Sequence, residues 1–342
     1  NKLPGFQDVE NTEARGKFER VWGCTIPPEN GRHLSLMFEA MEAGEIRTLY
    51  IIGENPAQSE ADAQRAQNLL EGLEHLVVQD IFLTKTAEPA HVVLPAAASW
   101  AESEGTVTSS ERRVQRVRRA LSPPGGARGD TEILCDLAKR LGHDWGYPTA
   151  EVVWDELRSL SPMHAGMSYR RLEEHGGIRW PCPDENHPGS LFLHGRLWEN
   201  PIQGPPAPFC PVAFVPPVDE LTDEYPVRLT TGRRLDSYNT GVQSGGYRSP
   251  IRHAETLDIS PEDGERFQIG EGERVRVSSR RGSIEVPVRY ERSLRPGLAF
   301  MSLHFPDEAE TNVLTNDAWD PRSGTAEFKA TAIRIDRIVE TV

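Results

Sequence analysis

The sequence has no paired cysteines, no long apolar run and no excess of positive charge, and each absence narrows what the chain does. Its four cysteines, Cys24, Cys135, Cys182 and Cys210, stand far apart with no C-x-x-C pair. Zinc and iron–sulfur sites draw their ligands from tight or converging pairs, so no such site is expected, and the thiols read as reduced and independent, as in a cytoplasmic protein. No stretch approaches the ~20 apolar residues needed to span a bilayer. No signal-peptide pattern opens the chain; Asn1-Lys-Leu-Pro-Gly-Phe6 reads as mid-protein sequence. A formal net charge of −14 excludes a nucleic-acid partner, because neutralising phosphates needs a basic face. The fingerprint G-x-G-x-x-G is missing, which excludes an ordinary NAD site. No Ser/His/Asp or Cys/His arrangement and no paired carboxylates are placed for nucleophilic or acid–base work.

What is present is enough chain, 342 residues, for two domains of different texture. Residues 1–30 read as an extended lead-in. Leu34, Met37, Phe38 and Met41 recur at helical spacing and stop at Gly44. Ile46 to Ile52 is a strand, and a helix is expected to open at Ser59, capped by its hydroxyl with Asp62 answering, and to end at Gly72. Leu73 to Phe82 and His91 to Pro95 are further apolar runs of strand type. Strand, helix, strand, crossover, strand is the doubly wound α/β pattern with a parallel sheet. Thr106 to Leu121 carries a ladder of arginines (112, 113, 116, 118 and 119) that reads as a solvated face or a partner interface. Asp130 starts a helix with Ile133, Leu134, Leu137, Ala138 and Leu141 on one face and Gly142 as its stop.

Periodicity weakens over 145–200, and the proline density of 201–226 reads as an interdomain linker. Beyond it the pattern is β. Val227 to Thr231 breaks at Gly232, and two alternating runs flank the hairpin signal Arg280-Arg-Gly282. Leu298 to Phe305 and Lys329 to Ile338 are strands too, so a small barrel is expected.

Polar residues sit where the strands run out. Gly53-Glu54-Asn55-Pro56 turns the chain outward after the first strand, and the helix that follows offers free N–H groups to the same crevice. Gln79 and Asp80 end the next strand, where a carboxylate accepts from a guanine edge or a ribose hydroxyl. Asp130 is either a helix N-cap or a base contact. Thr230-Thr231-Gly232-Arg233 combines two hydroxyls, a glycine that admits close backbone approach and a guanidinium fork, which suits a pyrophosphate or pterin. The alternative is a hairpin end carrying a surface arginine. His304 ends an apolar strand, with no second metal ligand near it in sequence.

These residues together resemble the C-terminal half of the molybdopterin oxidoreductases, and most closely the formate dehydrogenase catalytic (alpha) subunit. The landmarks are Leu3-Pro-Gly-Phe-Gln7, Tyr50-Ile-Ile-Gly-Glu-Asn-Pro56, Val77-Val-Gln-Asp-Ile-Phe82, Thr84-Lys-Thr-Ala87 and Val92-Val-Leu-Pro95. Glu102 with Gly105-Thr106, Glu111-Arg-Arg-Val-Gln115, Leu229-Thr-Thr-Gly-Arg233, Ser278-Ser-Arg-Arg-Gly282 and Thr311-Asn-Val-Leu-Thr315 through Glu327-Phe-Lys329 continue them in order.

The resemblance implies a Rossmann-like domain over 1–200, the linker over 201–226 and a double-psi β-barrel cap over 227–342. Together they would help hold a bis-molybdopterin guanine dinucleotide with molybdenum or tungsten. By position, Gly53, Glu54, Asn55 and Ser59 would line a guanosine and pyrophosphate pocket, completed by Gln79, Asp80, Thr84 and Asp130. Thr231, Gly232, Arg233, Tyr238 and Asn239 would lean on pterin and phosphates, and His304, Asn312, Phe328 and Lys329 would close the far side. The implied partners are the N-terminal half of the same enzyme, electron-transfer iron–sulfur or flavin subunits, and formate. The 4Fe-4S cysteines, the metal-ligating cysteine or selenocysteine and the histidine and arginine that handle formate have no counterpart here, so this portion alone is expected to be inactive. His91 stands where the family usually has aspartate, and Ser237 and Asn239 lie in a variable stretch. Two rivals share the fold: the large subunit of an NADH–quinone oxidoreductase, and a stand-alone binding or assembly module.

Overall fold

The computed structural model describes residues 2–193, 209–235, 239–240 and 254–338. Strands β1 (Lys2–Leu3) and β2 (Gln7–Asp8) precede helices α1 (Thr12–Trp22) and α2 (Leu34–Glu42). Next come β3 (Thr48–Ile52), α3 (Pro56–Ser59), α4 (Ala63–Glu71), β4 (His75–Asp80) and β5 (Val92–Pro95). The middle of the chain holds β6 (Gly105–Thr108), β7 (Arg113–Val117), α5 (Asp130–Arg140), α6 (Ala150–Leu160), α7 (Tyr169–Glu174) and β8 (Ile178–Arg179). The last part comprises β9 (Val227–Thr231), β10 (Leu257–Ile259), α8 (Pro261–Phe267), β11 (Arg274–Ser278) and β12 (Ser283–Tyr290), then β13 (Leu298–Met301) and β14 (Thr331–Arg337). A 3-10 turn, Thr311–Val313, lies between the last two strands. Contacts divide the chain into two compact units, Asn1–Arg32 with Leu94–Val212, and His33–Val93 with Ala213–Val342.

In the first unit β6, β7 and β8 form an antiparallel sheet. Its core gathers Val114, Trp154, Met167, Tyr169, Leu172 and Ile178. The lead-in expected to be extended contains α1. Asn11 caps that helix by accepting from Ala14 N at 2.9 Å, and Gly23 ends it at φ 65°. Phe18 anchors it among Leu3, Val9 and Leu160. The arginine ladder lies along β7, where Arg116 pairs with Glu104 and Glu173 and covers the Tyr169 ring at 4.2 Å. Arg118 also reaches Glu173. These arginines therefore spend their charge inside their own unit.

The second unit has two parts. Parallel strands β3 and β4, in the order β3-β4-β5, pack under α2 and α4 through Phe38, Met41, Ile51, Leu70, Leu76 and Val78. The helix expected to open at Ser59 does not: Ser59 is the last residue of α3, and α4 begins at Ala63. Pro56, which has no N–H to lose, starts α3 directly after Asn55. Glu60 then adopts extended backbone, ψ 150°, and breaks the turn, and Asp62 takes over as cap by accepting from Arg65 N at 3.3 Å.

The other part is a closed barrel in the order β10-β12-β11-β14-β9-β13. Inward positions alternate along β9, at Val227, Leu229 and Thr231, and along β11, at Val275 and Val277. Leu257, Ile259, Met301 and Ile333 fill the interior with them. Each such fully buried aliphatic contributes roughly 1.5–3 kcal/mol. The fold is thus mixed α/β with a parallel sheet and a six-stranded barrel.

Candidate functional site: the strand ends of the second unit

The β3 end turns sharply because Gly53 takes φ 63°, a conformation open to glycine, with empty space where a Cβ would point. Its N–H donates to the Gln79 carbonyl at 2.8 Å, which ties the two strand ends together. Gln79 is fully buried and accepts from the Tyr50 hydroxyl. Asp80 accepts from Phe82 N at 3.0 Å through Oδ1. Its second oxygen has no partner among the described residues, so a half-buried carboxylate is left to accept from a ligand.

Asn55 sits between two segments. Its Oδ1 accepts from Thr86 N at 3.2 Å and from Thr86 Oγ1 at 2.7 Å, and its Nδ2 donates to Gln58 Oε1 at 2.6 Å. Thr84 is buried and accepts from Ala87 N at 3.2 Å, closing the turn that carries Thr86. Asn312, on the 3-10 turn, donates its amide to the carbonyls of Gln58 (3.1 Å) and Ser59 (3.2 Å). Thr315 Oγ1 donates back to Asn312 Oδ1 at 3.1 Å, and the Thr315 carbonyl accepts from Asp62 N at 3.2 Å. Asn55 and Ser59 from the α/β part and Asn312 from the barrel are therefore brought into one hydrogen-bonded group. Glu54 is exposed beside it.

Burial, followed by the neighbouring Glu54 charge, pushes the Glu60 carboxyl up to about 7. No feature of the sequence singled out Glu60, Gln58, Thr86 or Thr315, although Thr86 and Thr315 lie inside landmark stretches.

On the barrel, Thr231 is buried and its hydroxyl donates to the Phe328 carbonyl at 2.9 Å. That bond joins two of the expected residues, but it uses the hydroxyl inside the protein. Gly232 follows, and a Cβ there would meet Phe300 Cε2 at 3.0 Å. Arg233 is exposed and donates to Asn239 Oδ1 at 2.6 Å. Its neighbour Arg234 is half-buried, paired with Asp258 at 2.5 Å and stacked over Phe300 at 4.9 Å. His304 is buried with its ring 4.8 Å from that of Phe305, and its backbone N–H donates to Ser302 Oγ at 3.3 Å. Ser302 in turn bonds the buried Glu255, whose carboxyl burial pushes up. Lys329 is exposed and has no partner among the described residues. Tyr238 lies outside the described residues.

Asp130 belongs to the first unit. Gly129, not Asp130, holds the N-cap position of α5, and Asp130 is its first helical residue. An acidic side chain is favourable there against the helix dipole. It lines a groove of about 580 Å³ together with Glu102, Gly105, Thr106 and Arg119, so Asp130 and the Glu102 and Gly105-Thr106 landmarks share one surface. Among the described residues no group of three His, Cys, Asp or Glu could hold a metal. No helix among them is long and apolar enough to cross a membrane.

The polar groups of the second unit are chemically compatible with a dinucleotide. The unit offers an available carboxylate oxygen at Asp80, open space at Gly53 and cations at Arg233 and Lys329.

Residues 13–140 match the family model described as molybdopterin oxidoreductase, and residues 227–332 the one described as molydopterin dinucleotide binding domain. The chain is 40% identical over 346 residues to the F420-dependent formate dehydrogenase subunit alpha of Methanocaldococcus jannaschii, covering 99% of this chain and 50% of that protein. It is 33% identical to formate dehydrogenase H of Escherichia coli, over 98% of this chain and 47% of that protein. The assimilatory nitrate reductase catalytic subunit of Bacillus subtilis is 36% identical, with 98% and 48% covered. Among solved structures, acetylene hydratase from Pelobacter acetylenicus shares the fold with a TM-score of 0.68 at 17% identity, covering 98% of this chain and 51% of that one. The chain spans about half the length of each of these four proteins.

Proposed function

The chain belongs to the molybdopterin oxidoreductases, and from that premise we propose that it is the C-terminal cofactor-binding portion of a formate dehydrogenase. Its Rossmann-like and double-psi barrel parts hold a bis-molybdopterin guanine dinucleotide carrying molybdenum or tungsten. The observation that carries the reading is twofold: Gly53 ties the ends of β3 and β4 together, and α3, the helix that follows β3, is hydrogen-bonded to the barrel's Asn312. Strand ends of an α/β sheet are where nucleotides bind.

In this reading Asp80 accepts from the guanine edge and Gly53 lets backbone approach the ligand closely. Arg233 and Lys329 face anionic phosphates, each charge-assisted bond being worth about 1.5–3 kcal/mol. Gln79, Thr84, Asn55, Ser59, Thr231, Asn239, His304, Asn312 and Phe328 shape the pocket, with Glu54 at its rim. In the first unit, Asp130 lines a groove with Glu102 and Thr106. When bound, the cofactor supplies the two-electron chemistry, and the protein orients it and excludes water.

The formate assignment rests on the formate dehydrogenase relatives. The similarity to a nitrate reductase subunit means that this half of the sequence does not by itself fix the substrate. Residues that handle formate, and a 4Fe-4S cluster, belong to the N-terminal half, which is the first partner; electron-transfer iron–sulfur or flavin subunits are the next, in the cytoplasm.

The test is to co-purify the chain with a polypeptide supplying the other half and to assay metal, released GMP and formate-dependent dye reduction. Molybdenum or tungsten with two GMP per metal, and dye reduction by the pair but not by the 342-residue chain alone, is the expected result. A pair that holds metal but releases no GMP sinks the cofactor assignment, and dye reduction by the chain alone sinks the division of labour.

A further inference from the structure

Thr86 is fully buried, and its hydroxyl lies between two groups of fixed polarity. Ala57 N, 3.0 Å away, can only donate. The hydroxyl's single proton is therefore committed to its other neighbour, Asn55 Oδ1, at 2.7 Å. The Thr86 backbone N–H points at the same oxygen from 3.2 Å. Two donors converging on one atom decide the amide's orientation: the atom facing Thr86 is the oxygen, and the NH2 group faces the other way. One of its hydrogens goes to Gln58 Oε1 at 2.6 Å. The second has no partner among the described residues, and Asn55 is half-buried at the end of β3.

We propose that Thr86 is a positioning residue that holds the Asn55 amide with one N–H aimed outward as a donor to the bound guanine nucleotide. The inference deepens the function proposed above and rests on it for the identity of the ligand. The same hydroxyl also accepts from the first turn of α3, a four-residue helix with no side-chain cap from Asn55. Thr86 thus locks the turn and the amide in one step. Without the hydroxyl, the amide keeps the weaker bond from Thr86 N and gains the freedom to rotate, so the outward donor is presented only part of the time.

The experiment compares wild type, Thr86→Val and Thr86→Ser in the 342-residue chain, with GDP as the probe. Valine keeps the shape and removes the hydroxyl; serine keeps the hydroxyl and removes the methyl. Calorimetry should show Thr86→Val binding GDP about tenfold more weakly, the scale of one well-placed hydrogen bond, and Thr86→Ser within about twofold of wild type. Equal GDP affinity in wild type and Thr86→Val overturns the inference, as does a loss in Thr86→Ser as large as that in Thr86→Val.

A second readout needs no ligand. The Asn55 side-chain amide pair, identified in nitrogen–proton spectra by its disappearance in Asn55→Asp, should shift and broaden in Thr86→Val and be restored in Thr86→Ser. An Asn55 amide unchanged by Thr86→Val overturns the positioning role. If wild type binds no GDP while the amide responds as expected, the guanine reading fails and the positioning role stands.

Discussion

Asn312 donates its side-chain amide to two consecutive carbonyls, those of Gln58 and Ser59, at 3.1 and 3.2 Å. Those carbonyls belong to a four-residue helix followed by extended backbone, so no continuing helix satisfies them. The bond pair fastens the barrel's 3-10 turn to α3 of the α/β part. Asn312→Leu, of similar size, strands one buried and one half-buried acceptor. It should cost about 2–4 kcal/mol in urea unfolding at pH 7, with the slope unchanged. A loss below about 0.5 kcal/mol would mean that the two parts are held by apolar packing alone.

Glu60 makes stability depend on pH in an unusual direction. Its carboxyl is raised from 4.5 to about 7 by burial and by Glu54, so the folded state holds a proton that the unfolded chain has released. The native state therefore binds more protons between these values, and stability falls as pH rises from about 4.5 through 7. Glu60→Gln is neutral at every pH and removes that dependence. We expect it to match wild type near pH 4.5 and to exceed it by on the order of 1–3 kcal/mol at pH 8. Thermal midpoints across this range decide the matter, and a constant difference between the two proteins would refute the assignment.

Asp219 behaves oppositely. Burial works against its charge, but the Ala332 N–H at 3.0 Å and the guanidiniums of Arg281 (2.5 Å) and Arg280 hold its carboxyl below the ordinary 3.8. Its contribution is present at neutral pH and is lost as pH falls below about 4. It fixes the start of the barrel segment, since its carbonyl also accepts from Arg228 at 2.6 Å. Asp219→Ala leaves the half-buried Arg281 guanidinium, the exposed Arg280 and a buried amide without their acceptor, and should cost about 3–5 kcal/mol at pH 7. The deficit should shrink below pH 4, a convergence that a purely steric defect would not show.

Where periodicity was strong, the sequence was legible. The strands of the sheet, helices α2 and α5 and the barrel hairpin register, Ser278 opposite Ser283, follow from apolar alternation and turn residues. Helices α1, α6 and α7 did not show, because α1 and α6 bury only one or two side chains on otherwise charged segments, and the six residues of α7 are too few to show a period, with a charged Arg171 among its three buried ones. Ser59 misled because a hydroxyl and an acid three residues on imitate a capping box, while Pro56 had already started the helix. At the site, Asn55, Asp80 and Arg233 stood out by residue type and position. Thr86 and Gln58 could not, since what they do depends on which carbonyl or amide a distant segment brings to them.

Asp80 is the most direct test of ligand identity. One carboxylate oxygen is engaged by Phe82 N, leaving the other as an acceptor that cannot donate. Guanine presents adjacent N–H donors on its pairing edge, whereas adenine presents an acceptor beside its single amine, so a carboxylate discriminates between them. Asp80→Asn replaces one acceptor with a donor and keeps the volume. Such a polar mismatch is worth about 1–3 kcal/mol, which is roughly 5- to 150-fold in affinity. We expect GDP binding to weaken by that factor in Asp80→Asn and ADP binding to stay weak and unchanged, measured side by side by calorimetry. Were GDP and ADP weakened alike, Asp80 would be shaping the turn at Phe82 rather than reading the base.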